Sequence, residues 1–143
     1  MKSPKLSYLM ERVIAGSTLA VGREESQFWR ANPVGVTFME DLKDFMAIDV
    51  KFRVVMLGEV LQRVEDAKPV LEHAMAIAER IVVIVPNEHS WLPEYQPLSN
   101  KEHKRFYDAE MLCNDLENAG LKYVVNVLDY DGWSFLTADA VKA

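Results

Sequence analysis

The sequence predicts an α/β domain with a mainly parallel sheet, because two unbroken apolar runs are separated by a helical pattern. The runs are VVML at residues 54–57 and IVVIV at 81–85. Their length and β-branched composition are typical of strands buried on both faces. Between them, apolar residues recur at helical spacing over residues 70–78, as expected for a helix that lies on a sheet. This strand–helix–strand order favours a parallel sheet with helices on its faces.

Composition limits the classes of function. The chain has 143 residues, half of them hydrophobic, which suits a single domain over residues 1–143. Lys and Arg number 16 against 22 Asp and Glu, so general nucleic-acid binding is not expected. Cys113 is the single cysteine, which excludes an internal disulfide and a cysteine-rich zinc site. Because no apolar run is long enough for a signal peptide or a membrane span, we expect a soluble, cytoplasmic protein.

The first half of the chain predicts short elements. In order, they are an amphipathic helix over residues 6–14, a strand over 18–21, a turn at Asn32-Pro33, a strand over 35–39 and a connection over 41–51. Only twelve residues separate Gly22 from Gly35. That interval is too short for a helix, a strand and a second helix.

The second half predicts longer elements with clear boundaries. Asp66 is a candidate N-cap and Pro69 suits the first turn of the helix that follows. Pro86 ends the strand at 81–85, and a polar loop leads to a helix that begins near Asp108 and stops at Gly120. Strands over residues 123–128 and 134–137, joined by a DYDGW turn, then predict a terminal hairpin.

Three segments of this second half carry a resemblance to a known family. They are GEVLQRVED at residues 58–66, VPN at 85–87 and EHKRFY at 102–107. In this order they resemble class I S-adenosylmethionine-dependent methyltransferases, where a strand ends in a segment such as GEVLEHVED and a later EH-x-R-F/Y segment opens a helix. The resemblance implies a Rossmann-like, three-layer α/β fold whose mainly parallel sheet ends in a C-terminal antiparallel hairpin.

The first half departs from the pattern of that family and is shortened. The family carries a glycine-rich turn, D/E-x-G-x-G-x-G, after its first strand, whereas LAVGREES at residues 19–26 retains only Gly22. We align residues 35–42 with the third strand of the family, so that Asp41 would face the adenine amine and the ribose-binding strand would be missing. The resemblance implies an eroded pocket for S-adenosylmethionine. Its expected cofactor contacts are Gly22, Asp41, Leu42, Gly58 and Glu59.

These residues also have plainer interpretations. Glu59 is equally explained as a cap of the turn in solvent, and Gly22 as a glycine between a strand and a loop. His89 and His103 are candidates for acid–base catalysis above the cofactor site. Structural or solvated histidines are commoner, and the sequence identifies no carboxylate partner for either one.

Three functions are compatible with this pattern. The first is an active methyltransferase with a small-molecule acceptor; the resemblance implies that the loop over residues 86–105 helps to shape the acceptor site. The second is a catalytically inactive homologue that acts as a binding, regulatory or oligomerisation subunit. The third is a different enzyme on the same scaffold. Because a shortened half leaves a sheet edge to cover, we expect a homodimer or a partner subunit.

Overall fold

The computed structural model describes residues 4–31, 35–91 and 103–143. Within these residues the strands are β1 (Thr18–Val21), β2 (Thr37–Met39), β3 (Phe52–Gly58), β4 (Ala78–Pro86), β5 (Leu121–Tyr130) and β6 (Trp133–Lys142). The helices are α1 (Pro4–Met10), α2 (Ser26–Arg30), α3 (Leu42–Ala47), α4 (Lys68–Ile77) and α5 (Ala109–Asn118), with 3₁₀ turns η1 (Leu61–Arg63) and η2 (Glu88–Ser90). The predicted Asn32-Pro33 turn and residues 92–102 of the predicted acceptor loop lie outside the described residues.

The described strands form one sheet in the order β2-β1-β3-β4-β6-β5. Strands β1 to β4 pair in parallel, whereas β6 is antiparallel to both β4 and β5. The predicted parallel sheet with a C-terminal antiparallel hairpin is therefore confirmed. The carboxyl ends of β2, β1 and β3 lie side by side at one edge of this sheet.

Helices cover both faces of the sheet, which confirms three layers. On one face, Phe45 of α3, Leu71 of α4 and Leu112 of α5 pack with one set of strand side chains. On the other face, Leu9 of α1 and Trp29 of α2 pack with the alternate set. Strand side chains alternate between faces, so each apolar run supplies both layers of the core. None of the helices in the described ranges has the length and apolarity needed to cross a membrane.

The longer helices begin close to where the sequence places them. The Asp108 side chain accepts a hydrogen bond from the Met111 backbone N–H at 2.8 Å and caps α5. Before α4, the Asp66 side chain accepts a hydrogen bond from the Lys68 N–H at 3.0 Å. Asp66 lies one residue before the N-cap position, which Ala67 occupies.

The short elements of the first half differ from the prediction. Helix α1 starts and ends earlier than residues 6–14, because the Thr18 hydroxyl bonds both backbone groups of Ile14 at 2.8 and 2.9 Å and leads the chain into β1. Helix α2 occupies the interval after Gly22, and α3 occupies the predicted connection. Both are too short to show a helical period, so apolar spacing gives no signal for them.

Residues 35–42 do not take the sheet position of the third strand of the family. In the 3-2-1-4-5-6 doubly wound order, the second strand lies beside the first and the third lies beyond the second. Here β2 pairs directly with β1, with Leu19 opposite Thr37 and Val21 opposite Met39. Strand β2 therefore takes the place of the second, ribose-binding strand. Among the described residues, the sheet ends there, and no strand lies beyond β2.

Candidate functional site

A cleft lies at the carboxyl ends of β1, β2 and β3. Its cavity of about 650 Å³ has the size of a small-molecule site. In open α/β sheets ligands bind at this edge. The lining includes Gly22, Arg23, Glu40, Asp41, Leu42, Asp44, Glu59 and Arg63. Of the predicted cofactor contacts, four of the five thus line one cavity.

The floor of the cleft depends on a close approach of backbones at Gly22. This residue has φ 123°, a conformation that suits glycine. A Cβ added there would lie 2.5 Å from the Gly58 carbonyl oxygen, which is a backbone atom that cannot move aside. The Gly22 N–H also donates to the Met39 carbonyl at 2.9 Å. Gly22 therefore joins the ends of three strands, which is a structural reason for a glycine here.

Acidic side chains from the end of β2 form one wall. Asp41 caps α3, because its side chain accepts a hydrogen bond from the Lys43 N–H at 2.9 Å. Leu42 is the first residue of α3, so the cap fixes its position at the wall. Glu40 directly follows β2 and is paired with Arg30. This wall therefore presents two carboxylates to the cavity.

A buried lysine closes the other end of the cleft. The Lys5 Nζ of α1 lies 2.5 Å from Glu59 Oε2 and 3.4 Å from Glu25 Oε1. Both the Lys5 and the Glu59 side chains are 11% exposed. The Nζ is also 4.6 Å from the centroid of the Phe135 ring. This group of Lys5, Glu25 and Glu59 is called the Lys5 cluster below.

The backbone at the Lys5 cluster is in an uncommon conformation. Glu59 has φ 56° and Glu25 has φ 61°, two of the three non-glycine residues with positive φ in the described ranges. Such conformations persist where the surrounding structure holds them, and they concentrate at functional sites. Here the Glu59 N–H donates to the Ile84 carbonyl at 2.8 Å, which fixes this residue against β4.

Burial and charge act in opposite directions on the Lys5 cluster. Burial lowers the pKa of Lys5, but the carboxylates of Glu59 and Glu25 outweigh it and hold that pKa above its ordinary value. Burial raises the pKa of Glu59, and the attraction of Lys5 offsets this only in part. The Lys5 ammonium is thus favoured in its charged form, whereas burial opposes the ionised form of Glu59.

The space around the Lys5 cluster is filled. A cavity of about 10 Å³ remains there, lined by residues that include Lys5, Val21, Gly58 and Glu59. Val21 and Glu59 also line the large cavity. The cleft over β1 and β3 therefore has an open part, near β2, and a closed part that Lys5 fills. Gly58, the fifth predicted cofactor contact, lies in the closed part.

The two candidate histidines lie in different environments. His103 Nδ1 is 2.6 Å from Glu88 Oε1, and both side chains are 6% exposed. His89, on the same 3₁₀ turn as Glu88, is exposed. Neither histidine is among the described residues that line the cleft. The carboxylate partner of His103 comes from a distant part of the chain, so sequence spacing gave no signal for it.

A second buried polar group, Gln62, contacts the segment that directly follows His103. Gln62 is 1% exposed, and its backbone carbonyl accepts hydrogen bonds from Lys104 and Arg105 at 2.7 and 3.1 Å. Its side-chain amide, together with Glu88 Oε2, has no hydrogen-bond partner among the described residues. Buried polar atoms without partners are rare in folded proteins and mark places where a ligand or water completes the bonding. No group of three or more metal-ligating side chains occurs in the described part of the chain.

Comparisons with solved structures agree on one fold. A SAM-dependent methyltransferase from Thermotoga maritima matches with a TM-score of 0.66 and 17% identity over 97% of this chain and 87% of that one. A SAM-dependent methyltransferase from Archaeoglobus fulgidus matches with a TM-score of 0.66 and 12% identity over 96% of this chain and 90% of that one. Magnesium protoporphyrin IX methyltransferase from Synechocystis, with bound S-adenosylhomocysteine, matches with a TM-score of 0.63 and 13% identity over 97% of this chain and 80% of that one. No family model matches the chain, and no curated protein matches it in sequence.

The chain has the class I S-adenosylmethionine-dependent methyltransferase fold. At these identities the likeness shows the architecture, and the resemblance of the second half is confirmed at that level.

Glu40 is a carboxylate of the cavity lining that the sequence reasoning did not select. A carboxylate about 20 residues after the glycine turn, at the end of the second strand, contacts the ribose in dinucleotide-binding folds. Glu40 has this spacing from Gly22 and follows β2, which occupies the second-strand place. The spacing alone was a usable signal. The assignment of β2 as the third strand concealed it.

Proposed function

We propose that this chain binds S-adenosylmethionine in the cleft over β1, β2 and β3 and is a methyltransferase-like protein with a small-molecule acceptor. The observation that carries the proposal is the cavity of about 650 Å³ at the carboxyl ends of these strands. It lies at the ligand-binding edge of a methyltransferase fold, and Gly22, Asp41, Leu42 and Glu59 line it.

The charges of the cleft favour a cationic ligand. Four carboxylates line the cavity, against the guanidinium groups of Arg23 and Arg63. When bound, S-adenosylmethionine supplies a methyl group on a positively charged sulfur. Glu40 would accept hydrogen bonds from the ribose hydroxyls and Asp41 would lie near the adenine amine. Gly22 and Gly58 would lie next to the amino-acid end of S-adenosylmethionine.

His103 is the better oriented of the two candidate bases, and both lie outside the lining of the cleft. Glu88 holds the Nδ1 side of its ring at 2.6 Å, which orients the ring and leaves Nε2 to accept a proton from an acceptor. The buried amide of Gln62 adds donors and acceptors for an acceptor molecule in the same region. His89 is exposed, and Glu88, its neighbour in the chain, contacts His103 instead.

An inactive binding homologue is the second candidate function. The observation that favours it is the closed part of the cleft, where Lys5 fills the space beside Glu59. The side chains of Arg23 and Glu24 also replace the exposed backbone of a glycine-rich turn. The homodimer that we expect from the shortened sheet stays a prediction, and sedimentation at micromolar concentration checks it.

Calorimetric titration with S-adenosylmethionine and S-adenosylhomocysteine tests the proposal. We expect micromolar binding, weakened about tenfold by Glu40→Gln, because a hydrogen bond to a charged group is worth about 1.5–3 kcal/mol. Glu72→Gln, on the exposed side of α4, is the matched control and should leave the affinity unchanged. No binding of either compound at millimolar concentration overturns the proposal.

A further inference from the structure

We propose that Lys5 is an internal occupant of the cleft, and that a ligand carrying a primary ammonium group binds there by displacing Lys5 from Glu59 and Glu25. In this arrangement α1 closes the site in the unliganded protein. The identity of that ligand as a cofactor with an amino-acid end rests on the function proposed above.

The shape of the cleft is the first argument. The open part, about 650 Å³, and the closed part, about 10 Å³, share Val21 and Glu59 in their linings. A cavity of about 10 Å³ holds no more than one water molecule. The closed part is therefore small because the Lys5 side chain and its two carboxylate partners occupy it, at the point where the ends of β1 and β3 meet.

The chemistry of the occupant is the second argument. Lys5 presents a compact cation with three N–H donors at the end of a flexible chain. The α-ammonium group of an amino acid has the same charge and the same donors. Because a buried carboxylate without a cation is strongly unfavourable, Glu59 keeps a positive partner whether Lys5 or a ligand supplies it. An exchange of one ammonium for another therefore keeps Glu59 paired with a cation.

The attachment of α1 is the third argument. Leu6 and Leu9 are buried in the core, and Tyr8 and Arg12 bond Asp139 of β6 at 2.8 Å each. Lys5 stands at the start of the helix, before these anchors. The Lys5 side chain can therefore leave the cleft through rotation of its own bonds and fraying of the first turn, while the rest of α1 stays packed on the sheet.

A pair of nucleosides tests the displacement. S-adenosylhomocysteine carries the amino-acid end, whereas 5′-methylthioadenosine has the same nucleoside and sulfur without it. An internal occupant reduces the apparent affinity by the fraction of molecules that it blocks. We therefore expect Lys5→Met to bind S-adenosylhomocysteine about tenfold more tightly or better, with the affinity for 5′-methylthioadenosine unchanged.

Two variants serve as controls in this titration. Lys5→Arg keeps a cation against the carboxylates, so it should fold normally and bind S-adenosylhomocysteine no more tightly than the unchanged chain. Lys122→Met removes an exposed lysine of β5 and should change neither affinity. If Lys5→Met binds S-adenosylhomocysteine with unchanged or lower affinity, the displacement model is wrong, while the proposed function stands.

A measurement without any nucleoside separates the two proposals. Lys5→Ala removes the side chain beyond Cβ, which n-propylammonium matches in length and charge. We expect its thermal unfolding midpoint at pH 8 to fall and to be restored by n-propylammonium chloride, but not by tetramethylammonium chloride, which has no N–H donors.

Restoration without nucleoside binding by any variant would support the ammonium site and overturn the proposed function. Absence of both would overturn both. If Lys5→Ala does not fold on its own, it is refolded in n-propylammonium chloride: recovery of folded protein there but not in tetramethylammonium chloride supports the site, and no recovery contradicts it.

Discussion

Helix α1 is held to the sheet by two polar groups that differ in kind. At its carboxyl end, Asp139 of β6 accepts hydrogen bonds from Tyr8 at 2.8 Å, Arg12 at 2.8 Å and Arg80 at 2.6 Å. At its amino end, Lys5 bonds Glu59 at 2.5 Å beside the cleft. The first group lies on a regular strand, whereas the second depends on glutamates with left-handed backbone.

The pKa values show what the difference means. Burial raises the pKa of Asp139, but the hydrogen bonds from Arg12, Arg80 and Tyr8 outweigh it and hold the pKa below its usual value. The pKa of Glu59 is raised instead, because burial outweighs the attraction of Lys5. Asp139 is therefore a stabilised anion that anchors the helix. Glu59 is a carboxyl group with a raised pKa at a ligand-binding edge, and perturbed pKa values cluster at functional sites.

The largest expected effect concerns the backbone beneath the Lys5 cluster. Gly22→Ala should lower the free energy of unfolding by about 3 kcal/mol or more, because it adds a clash with the Gly58 carbonyl to an unfavourable φ. Gly120→Ala is the matched control, since Gly120 has φ 78° and open space around it, and should cost about 1 kcal/mol. Urea unfolding measures both. Equal losses would show that the close approach at the cleft floor is unimportant.

The anchor at Asp139 comes next. Asp139→Asn should lower the free energy of unfolding by about 2 kcal/mol, because charged hydrogen bonds to three donors are weakened at a partly buried site. The control is Glu79→Gln, which breaks an exposed pair with Arg53 and should cost about 0.5 kcal/mol or less. If the two variants lose the same stability, Asp139 is not an anchor.

The smallest effect is a contrast in pH dependence. The folded pKa of Asp139 is lowered, so its contribution is present above the unfolded pKa and lost as pH falls through the folded value. The folded pKa of Glu59 is raised, so its contribution is present below the unfolded pKa and lost as pH rises through the folded value. Relative to the unchanged chain, the stability deficit of Asp139→Asn should therefore shrink at acidic pH, whereas Glu59→Gln should gain stability as pH rises above the unfolded pKa of Glu59, about 4. If the stability of both variants changes with pH in the same way, Asp139 and Glu59 do not differ as argued.

Local patterns determined much of the second half of the fold. The apolar run at 81–85 predicted the core of β4, and Asp108 predicted the start of α5. These signals are strong because burial on both faces of a strand and capping of a helix depend on residues close together in the chain. Four of the five predicted cofactor contacts likewise lie at one cavity, because residues after parallel strands meet at the same edge of the sheet.

The sequence by itself determined the fold class, the long elements and the edge at which a ligand would bind, since each follows from short-range patterns. Only the tertiary structure decided that β2 lies beside β1, that Glu88 orients His103 and that Lys5 fills the cleft beside Glu59. These features join residues distant in sequence, and they depend on strand order and on backbone conformations that the surrounding structure imposes. Local propensity does not encode contacts between residues so distant in the chain.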